Sequence, residues 1–373
     1  MSESSSIEWC DSTFNPWIGC ARISPACDHC YAAASTPART LGIKWGTGQP
    51  RRRTVPSNWA QPRRWNAQRF AQCTDCGWRG ERPKTAAGDR GECPACADGM
   101  LGEARRRVFC ASLADVFDNE VPAQWRTDLF ALIRATPNLD WLLLTKRIGN
   151  VDRMIAESVG ALPRDDRSGT GQHNHTPMAE WPWPNVWLGA TICNQAEAER
   201  DIPKLLRVPA AVRFLSIEPM LGSVKLRWEW VSRGRPLGGG PMCNLREPWK
   251  VPEPDPAVDW VIAGGESGTH ARPMHPDWVR SLRDQCAAAG VPFLFKQWGE
   301  WKPRDEWSDL HLRTKPRRFE TMTAIMLDGS ACPHEAVPQD VGAHRMARVG
   351  KKAAGRLLDG IEHNGYPKGM RHG

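Results

Sequence analysis

Apolar residues along this chain gather in short runs, separated by longer stretches in which they recur every three or four positions. Six runs read as buried strands: residues 107–112 (RVFCAS), 140–145 (DWLLLT), 185–191 (NVWLGAT), 212–217 (VRFLSI), 258–264 (VDWVIAG) and 292–296 (PFLFK). They are too short for helices and rich in β-branched and aromatic residues. An opening strand at residues 14–18 brings the number to about seven. Helical spacing fills the intervals, at residues 123–135, 195–206 and 276–289, the last carrying Trp278, Val279, Leu282 and Cys286 on one face. Strand and helix alternate, which is the pattern of a parallel sheet. The expected fold is α/β, a full or partial β/α barrel, with a doubly wound open sheet as the alternative.

Three stretches interrupt the alternation and read as insertions or long loops: residues 73–104, residues 159–184 with His173, His175 and a Trp181-Pro182-Trp183-Pro184 run, and the Gly-, Pro- and Arg-rich residues 222–257. Past Trp301 the pattern predicts a hairpin at residues 319–331 and a basic helix at residues 344–358.

Composition narrows the class. The 373 residues are 40% apolar and 25% charged. Apolar runs such as Trp141-Leu142-Leu143-Leu144 fall far short of the roughly 20 residues that span a bilayer. The first six residues are polar and have no secretory character, so a soluble cytoplasmic protein with no membrane partner is expected. The 13 cysteines are odd in number and lie mostly in close pairs, which in a reducing compartment points to metal ligation rather than disulfides. Net charge is +8, and residues 31–110 alone hold 15 Lys/Arg against 6 acids. A basic field of this kind attracts polyanions, nucleic acid above all.

The first cysteine group, Cys20-x6-Cys27-x2-Cys30, directly follows the opening strand. Three thiolates bind a [4Fe-4S] cluster so as to leave one iron open to an outside ligand. That iron can hold the amino and carboxylate groups of S-adenosylmethionine (SAM) and pass an electron to its sulfonium, giving a 5′-deoxyadenosyl radical. A zinc site completed by Cys10 remains open at this stage, while His29 inside the x2 loop is poorly placed as a fourth ligand.

The opening Ile7-Glu8-Trp9-Cys10-Asp11-Ser12-Thr13-Phe14-Asn15-Pro16-Trp17 accompanies these cysteines. Further along stand Gly264-Gly265-Glu266-Ser267-Gly268 with Ala271-Arg272-Pro273-Met274, then Lys296-Gln297-Trp298-Gly299, then a closing stretch from Gly350 to Gly360. Together they resemble a phage and prophage family of uncharacterised proteins with a radical-SAM-like three-cysteine motif, over nearly the whole chain. The resemblance implies a barrel of the radical SAM type and a cluster, and names no substrate. Two departures from the wider superfamily stand out. The first cysteine spacing is x6 where x3 is usual, and Gly-Gly-Glu ends the sixth strand rather than the second.

In β/α barrels chemistry gathers where strands end. Here the strand ends offer Asp115 and Asp118, Lys146 and Arg147, Thr191 and Asn194, Glu218, Glu266 and Ser267, and Gln297. Lys146 and Arg147 suit a carboxylate or phosphate, and Thr191 and Asn194 a ribose. Gly264 and Gly265 would let backbone approach a ligand. The expected cofactor contacts are therefore Lys146, Thr191, Asn194, Glu218, Gly264, Gly265, Glu266 and Gln297, each weighed against an ordinary capping role. Cys110 and Cys193 read as small core residues rather than reactive thiols.

The second cysteine group, Cys73-x2-Cys76 and Cys93-x2-Cys96, has the two-knuckle spacing of a tetrahedral zinc ribbon with no open metal position. Trp78, Arg79 and Arg82 beside it are of the kind that grip nucleic acid. The expected organisation is residues 1–72 as the N-terminal part of the barrel with the cluster loop, 73–104 as a zinc-ribbon insertion, 105–300 as the rest of the barrel, and 301–373 as an extension. The expected function is reductive SAM cleavage and hydrogen abstraction, Cys20, Cys27 and Cys30 carrying the cluster. A nucleic acid or nucleotide is the expected substrate, with a reductant protein and a phage-encoded protein as partners. The rivals are a non-catalytic zinc protein that binds nucleic acid and an iron-sulfur electron carrier.

Overall fold

The computed structural model describes residues 5–83, 92–163, 180–233, 256–304, 322–333, 335 and 342–367. Seven strands form the central sheet: β1 (Ser12–Phe14), β2 (Arg106–Cys110), β3 (Leu139–Thr145), β4 (Val186–Thr191), β5 (Val212–Ile217), β6 (Trp260–Gly264) and β7 (Phe293–Gln297). They stand in the order in which they occur in the chain, with β1 and β7 at the ends of the series. This is the strand order of a partial β/α barrel, and the sheet is mixed α/β in its connections, as the alternation predicts. Every residue of β2, β4 and β6 is buried, which is why β4 and β6 read as nearly continuous apolar runs rather than as alternating ones, while β2 buries Arg106 and Arg107 ahead of its apolar end.

The chain divides into two compact units, residues 1–23, 30–189 and 209–211 in the first, and 24–29, 190–208 and 212–373 in the second. In the first unit β1 pairs with β2 and β2 with β3, all parallel. Helices α1 (Ala123–Arg134) and α2 (Ile148–Gly160) pack together there, burying Leu129, Phe130 and Ile133 of one and Val151, Ile155 and Val159 of the other. An antiparallel ribbon of Phe70–Cys73 between Arg79–Glu81 and Leu101–Glu103 carries the second cysteine group.

In the second unit β5 pairs with β6 and β6 with β7, again parallel. Helix α3 (Gln195–Arg207) opens with a reciprocal cap: Asn194 accepts from the Glu197 N–H at 3.0 Å, and the Glu197 carboxylate accepts from the Cys193 N–H at 3.0 Å. Helix α4 (Pro276–Ala289) begins with proline in its first turn and ends at Gly290 in the left-handed region, φ 68°. A four-stranded antiparallel sheet follows, ordered Trp301–Pro303, His344–Arg348, Met322–Ile325, Ala331–Pro333.

Several expectations shift. The opening strand at 14–18 is two pieces: β1 ends at Phe14, and Trp17–Ile18 pairs instead with Arg52–Arg53, because Pro16 has no N–H to continue a ladder. The basic helix at 344–358 does not form. His344–Arg348 is a strand that buries Met346 and Ala347 between two partners, and Gly350 and Gly355, at φ 84° and 73°, confine the helix to Lys351–Ala354. The hairpin expected at 319–331 runs from Met322 to Pro333, turning at Gly329 with φ 91°. Helix α2 was not anticipated, although Ile148, Val151, Ile155 and Val159 keep helical spacing. Within the expected insertions, residues 84–91, 164–179 (with His173 and His175) and 234–255 lie outside the described residues.

Candidate functional site

The four-cysteine group is the most completely built feature. The sulfurs of Cys73, Cys76, Cys93 and Cys96 all lie within 4.8 Å of one another, and none is in a disulfide. Each C-x2-C pair makes the same knuckle: the Asp75 N–H donates to Cys73 Sγ at 3.4 Å, and the Ala95 N–H to Cys93 Sγ at 3.4 Å. The residue after each second cysteine, Gly77 and Ala97, turns through the left-handed region at φ 73° and 61°. Backbone N–H groups, that of Cys76 first, hold the Cys73 thiol down to about 7. Gly99 is required here, since a Cβ would sit 2.2 Å from Cys73 Sγ. The group could hold a metal ion, and its two convergent thiol pairs have the donor chemistry of a soft, tetrahedral one.

Of the first cysteine group, Cys20 and Cys30 belong to the first unit and Cys27 to the second. None of the three is in a disulfide. In the first unit, Asn15 after β1 bonds the Leu113 N–H and the Ser112 hydroxyl, which fixes the entry to the Cys20 segment. Arg147, at the end of β3, turns its guanidinium to Cys20: Nη1 donates to Sγ at 3.3 Å and Nη2 to the Ala21 carbonyl at 3.0 Å. Asp115 and Asp118 lie 3.4 and 3.7 Å from the same guanidinium, and Arg51 pairs with Asp118 at 2.8 Å. Burial, aided by the Asp115 charge, pushes the Cys20 thiol up to about 11 against the pull of Arg147. Sequence suggested that Arg147 would hold a ligand carboxylate. Instead its charge is spent on two aspartates and a sulfur. Lys146 lies beside it, and its backbone N–H donates to Asp115.

In the second unit the turn carrying Cys27 (Pro25–Cys27) is capped by Ser24 and held by Arg272. Arg272 Nη1 donates to Asp28 at 3.1 Å, and Nη2 to the Pro25 carbonyl at 2.9 Å. The rest of the guanidinium clamps Glu266, with Nε and Nη2 at 2.8 and 2.7 Å from its two oxygens, and His29 Nδ1 lies 3.2 Å from Glu266. Glu266 is only 5% exposed. Burial pushes its carboxyl up, but the Arg272 and His29 contacts outweigh it and the net shift is downward. Thus the Gly-Gly-Glu turn after β6 is wired to the turn containing Cys27 through an arginine that sequence reasoning passed over, although it stands in the Ala271-Arg272-Pro273-Met274 stretch.

A second cluster joins the ends of β5 and β7. Lys296 Nζ bridges both Glu218 oxygens at 2.7 and 2.8 Å, and Gln297 Nε2 donates to Glu218 and to Ser267, each at 3.0 Å. Gly264 lies against this pair, and a Cβ there would meet the Gln297 carbonyl at 3.3 Å. Gly265 is tighter still, since a Cβ there would lie 2.0 Å from the Trp298 carbonyl, so the glycines serve strand-end packing. Gln297 Oε1 and Thr191 Oγ1 are buried without a hydrogen-bond partner among the described residues. Asn194 is committed to capping α3. Of the expected cofactor contacts, Glu218, Gly264 and Gln297 therefore come together, Glu266 belongs to the neighbouring Arg272 network, and Lys146 belongs to the first unit. Cys193 is pushed up to about 12 by burial and by Glu197, and Cys110 is pushed up by complete burial, as befits core residues.

Seven of the fifteen cations in the basic stretch are engaged within the fold. Arg51, Arg53, Arg69, Arg79, Arg105, Arg106 and Arg107 all make ion pairs within the first unit, to Asp118, Asp128, Glu103, Asp11, Asp140, Glu81 and Asp11. Arg79 in particular chelates Asp11, with Nε at 3.0 Å and Nη2 at 2.9 Å, and also donates to Gln72 of the ribbon. His275, Asp277 and His344 also converge, but His275 accepts from the Asp277 N–H with Nδ1 and contacts the Gly342 carbonyl with Nε2, which leaves it no lone pair for a metal. Among the described residues, no helix is long and apolar enough to cross a membrane.

Residues 4–367 match the profile of a family described as Protein of unknown function (DUF5131). No curated protein matches the chain, and no solved structure does.

Proposed function

We propose, for a chain that belongs to the DUF5131 family over nearly its whole length, an iron-sulfur enzyme of the radical SAM type braced by a structural zinc ribbon. Cys20, Cys27 and Cys30 would hold the cluster, and Cys73, Cys76, Cys93 and Cys96 the zinc. The observation that carries this reading is the donor set: three undisulfided thiols within eleven residues, in the segment that follows the first strand of the seven-stranded sheet and the short strand Trp17–Ile18. Three thiolates suit an iron-sulfur cluster with an open iron, whereas the closed four-thiol group suits a structural ion. When bound, the cluster supplies one electron to the sulfonium of SAM.

The chain's own residues supply position and polarity. In the second unit, Arg272 and Glu266 fix the turn that carries Cys27, and the Glu218, Lys296 and Gln297 cluster offers polar contacts at the strand ends. Thr191 and Gln297 bring oxygens that lack protein partners and so favour a ligand with hydrogen-bond donors. Asn194, Gly264, Gly265 and Glu266 already have structural work, and we lean on Thr191, Glu218 and Gln297 for SAM, with Lys146 a further candidate from the first unit. The expectation of a nucleic acid substrate rested on the basic stretch. Seven of its fifteen cations are in ion pairs within the first unit, and we confine the proposal to the chemistry.

The test is electron paramagnetic resonance on anaerobically reconstituted, dithionite-reduced protein, with and without SAM, beside a Cys30→Ala control. A reduced-cluster signal that SAM perturbs and the control lacks is expected. A signal indifferent to SAM would favour electron transfer, and protein holding only zinc would overturn the enzyme reading.

A further inference from the structure

We infer that Arg147 is a positioning residue that raises the reduction potential of a cluster bound at Cys20; this rests on the iron-sulfur reading above. Three features within the first unit point to it. The guanidinium is 3.3 Å from Cys20 Sγ with an N–H aimed at the sulfur, and its side chain is only 7% exposed. It is held from behind, because Asp115 and Asp118 flank it, Thr145 Oγ1 accepts from its backbone N–H at 2.8 Å, and the Thr145 hydroxyl donates to Asp115 at 2.7 Å. Arg51 in turn fixes Asp118.

Burying a charged network of this size against a neutral thiol is costly, since a thiol returns only a weak hydrogen bond. Against a thiolate ligand the same N–H becomes a charge-assisted bond. Reduction adds one electron to the cluster and makes its sulfurs more negative, with no bond made or broken. A fixed positive charge and an N–H on one of those sulfurs therefore favour the reduced form and move the midpoint upward. Lysine copies this effect only in part, keeping the charge but not the fixed fork, because a single flexible ammonium cannot hold Cys20, Ala21 and the aspartates at once.

The experiment is a dithionite redox titration, followed by electron paramagnetic resonance, of reconstituted wild type, Arg147→Lys and Arg147→Gln. Iron and sulfide contents are measured on the same samples, and circular dichroism reports folding. The expected result is comparable iron loading in all three, with a midpoint more negative in Arg147→Gln and intermediate in Arg147→Lys. Loaded variants with the wild-type midpoint would overturn the inference. So would folded variants that take up no iron while wild type does, since Arg147 would then build the site rather than tune it. Wild type that takes up no iron under any of these conditions would instead overturn the iron-sulfur reading itself.

Discussion

Replacing Arg272 with alanine should expose how much of the second unit depends on the clamp around Glu266. The substitution removes two charge-assisted bonds to a carboxylate that is 5% exposed, and leaves it only the backbone N–H of residue 272 and His29. Each such bond contributes about 1.5–3 kcal/mol, and stranding a buried charge costs about 3–5 kcal/mol. Arg272 itself is one-third exposed, and its contact with half-exposed Asp28 adds little, so about 3 kcal/mol is the expected loss at pH 7.5. The pH dependence carries a sign. In the wild type the Glu266 carboxyl lies below its usual range, so the pair's contribution is complete above about pH 4.3 and is lost as pH falls through the lowered folded value. Without Arg272 the buried carboxyl moves up instead, and the variant loses stability as pH rises. The gap between the two proteins should therefore widen from pH 4.5 to pH 7.5. Urea unfolding followed by tryptophan fluorescence at both pH values measures it, with Arg272→Lys recovering part of the loss. A gap below about 1 kcal/mol, or one equal at the two pH values, would refute the clamp.

Three further outcomes are expected. Cys93→Ser should lower zinc affinity at least about tenfold while Cys30→Ala leaves bound zinc unchanged, as read by metal analysis after dialysis, because only Cys93 belongs to the four-thiol group. Gly265→Ala should cost about 2 kcal/mol or more, since its Cβ would lie 2.0 Å from the Trp298 carbonyl, whereas Gly222→Ala, with its nearest neighbour at 3.4 Å, should stay within about 0.5 kcal/mol in the same unfolding assay. Burial pushes Asp140 up to about 6, with Arg105 opposing, so the folded state binds that proton more tightly than the unfolded chain does. Wild type should lose about 2 kcal/mol between pH 4 and pH 7 from this group, a slope that Asp140→Asn removes.

What the sequence could disclose depended on whether the determining contacts were local. The strands β4 and β6 are buried on both faces, so their apolar runs marked them without tertiary knowledge. His344–Arg348 carried the opposite signal: its basic, alanine-containing surroundings suit a helix, and only the pairings with Trp301–Pro303 and Met322–Ile325, distant in sequence, make it a strand. The same division holds for the site. Metal-type cysteine spacing is local, and the knuckles form where it placed them. Side-chain direction is not local.

Arg147 and Arg272 show why that matters for function. Both are plain cations in the sequence, and an arginine at a strand end looks ready for an incoming anion. In the fold each is already saturated, Arg147 by Asp115, Asp118 and Cys20, and Arg272 by Glu266, Asp28 and Pro25. At the second unit's strand ends, Thr191 Oγ1 and Gln297 Oε1 are buried with no hydrogen-bond partner among the described residues. Burying an oxygen without a partner costs about 1–3 kcal/mol, a cost that a bound ligand would offset and an empty strand end would not. At the second unit's strand ends, therefore, it is two neutral oxygens rather than the charges prominent in the sequence that the fold leaves without a partner among the described residues.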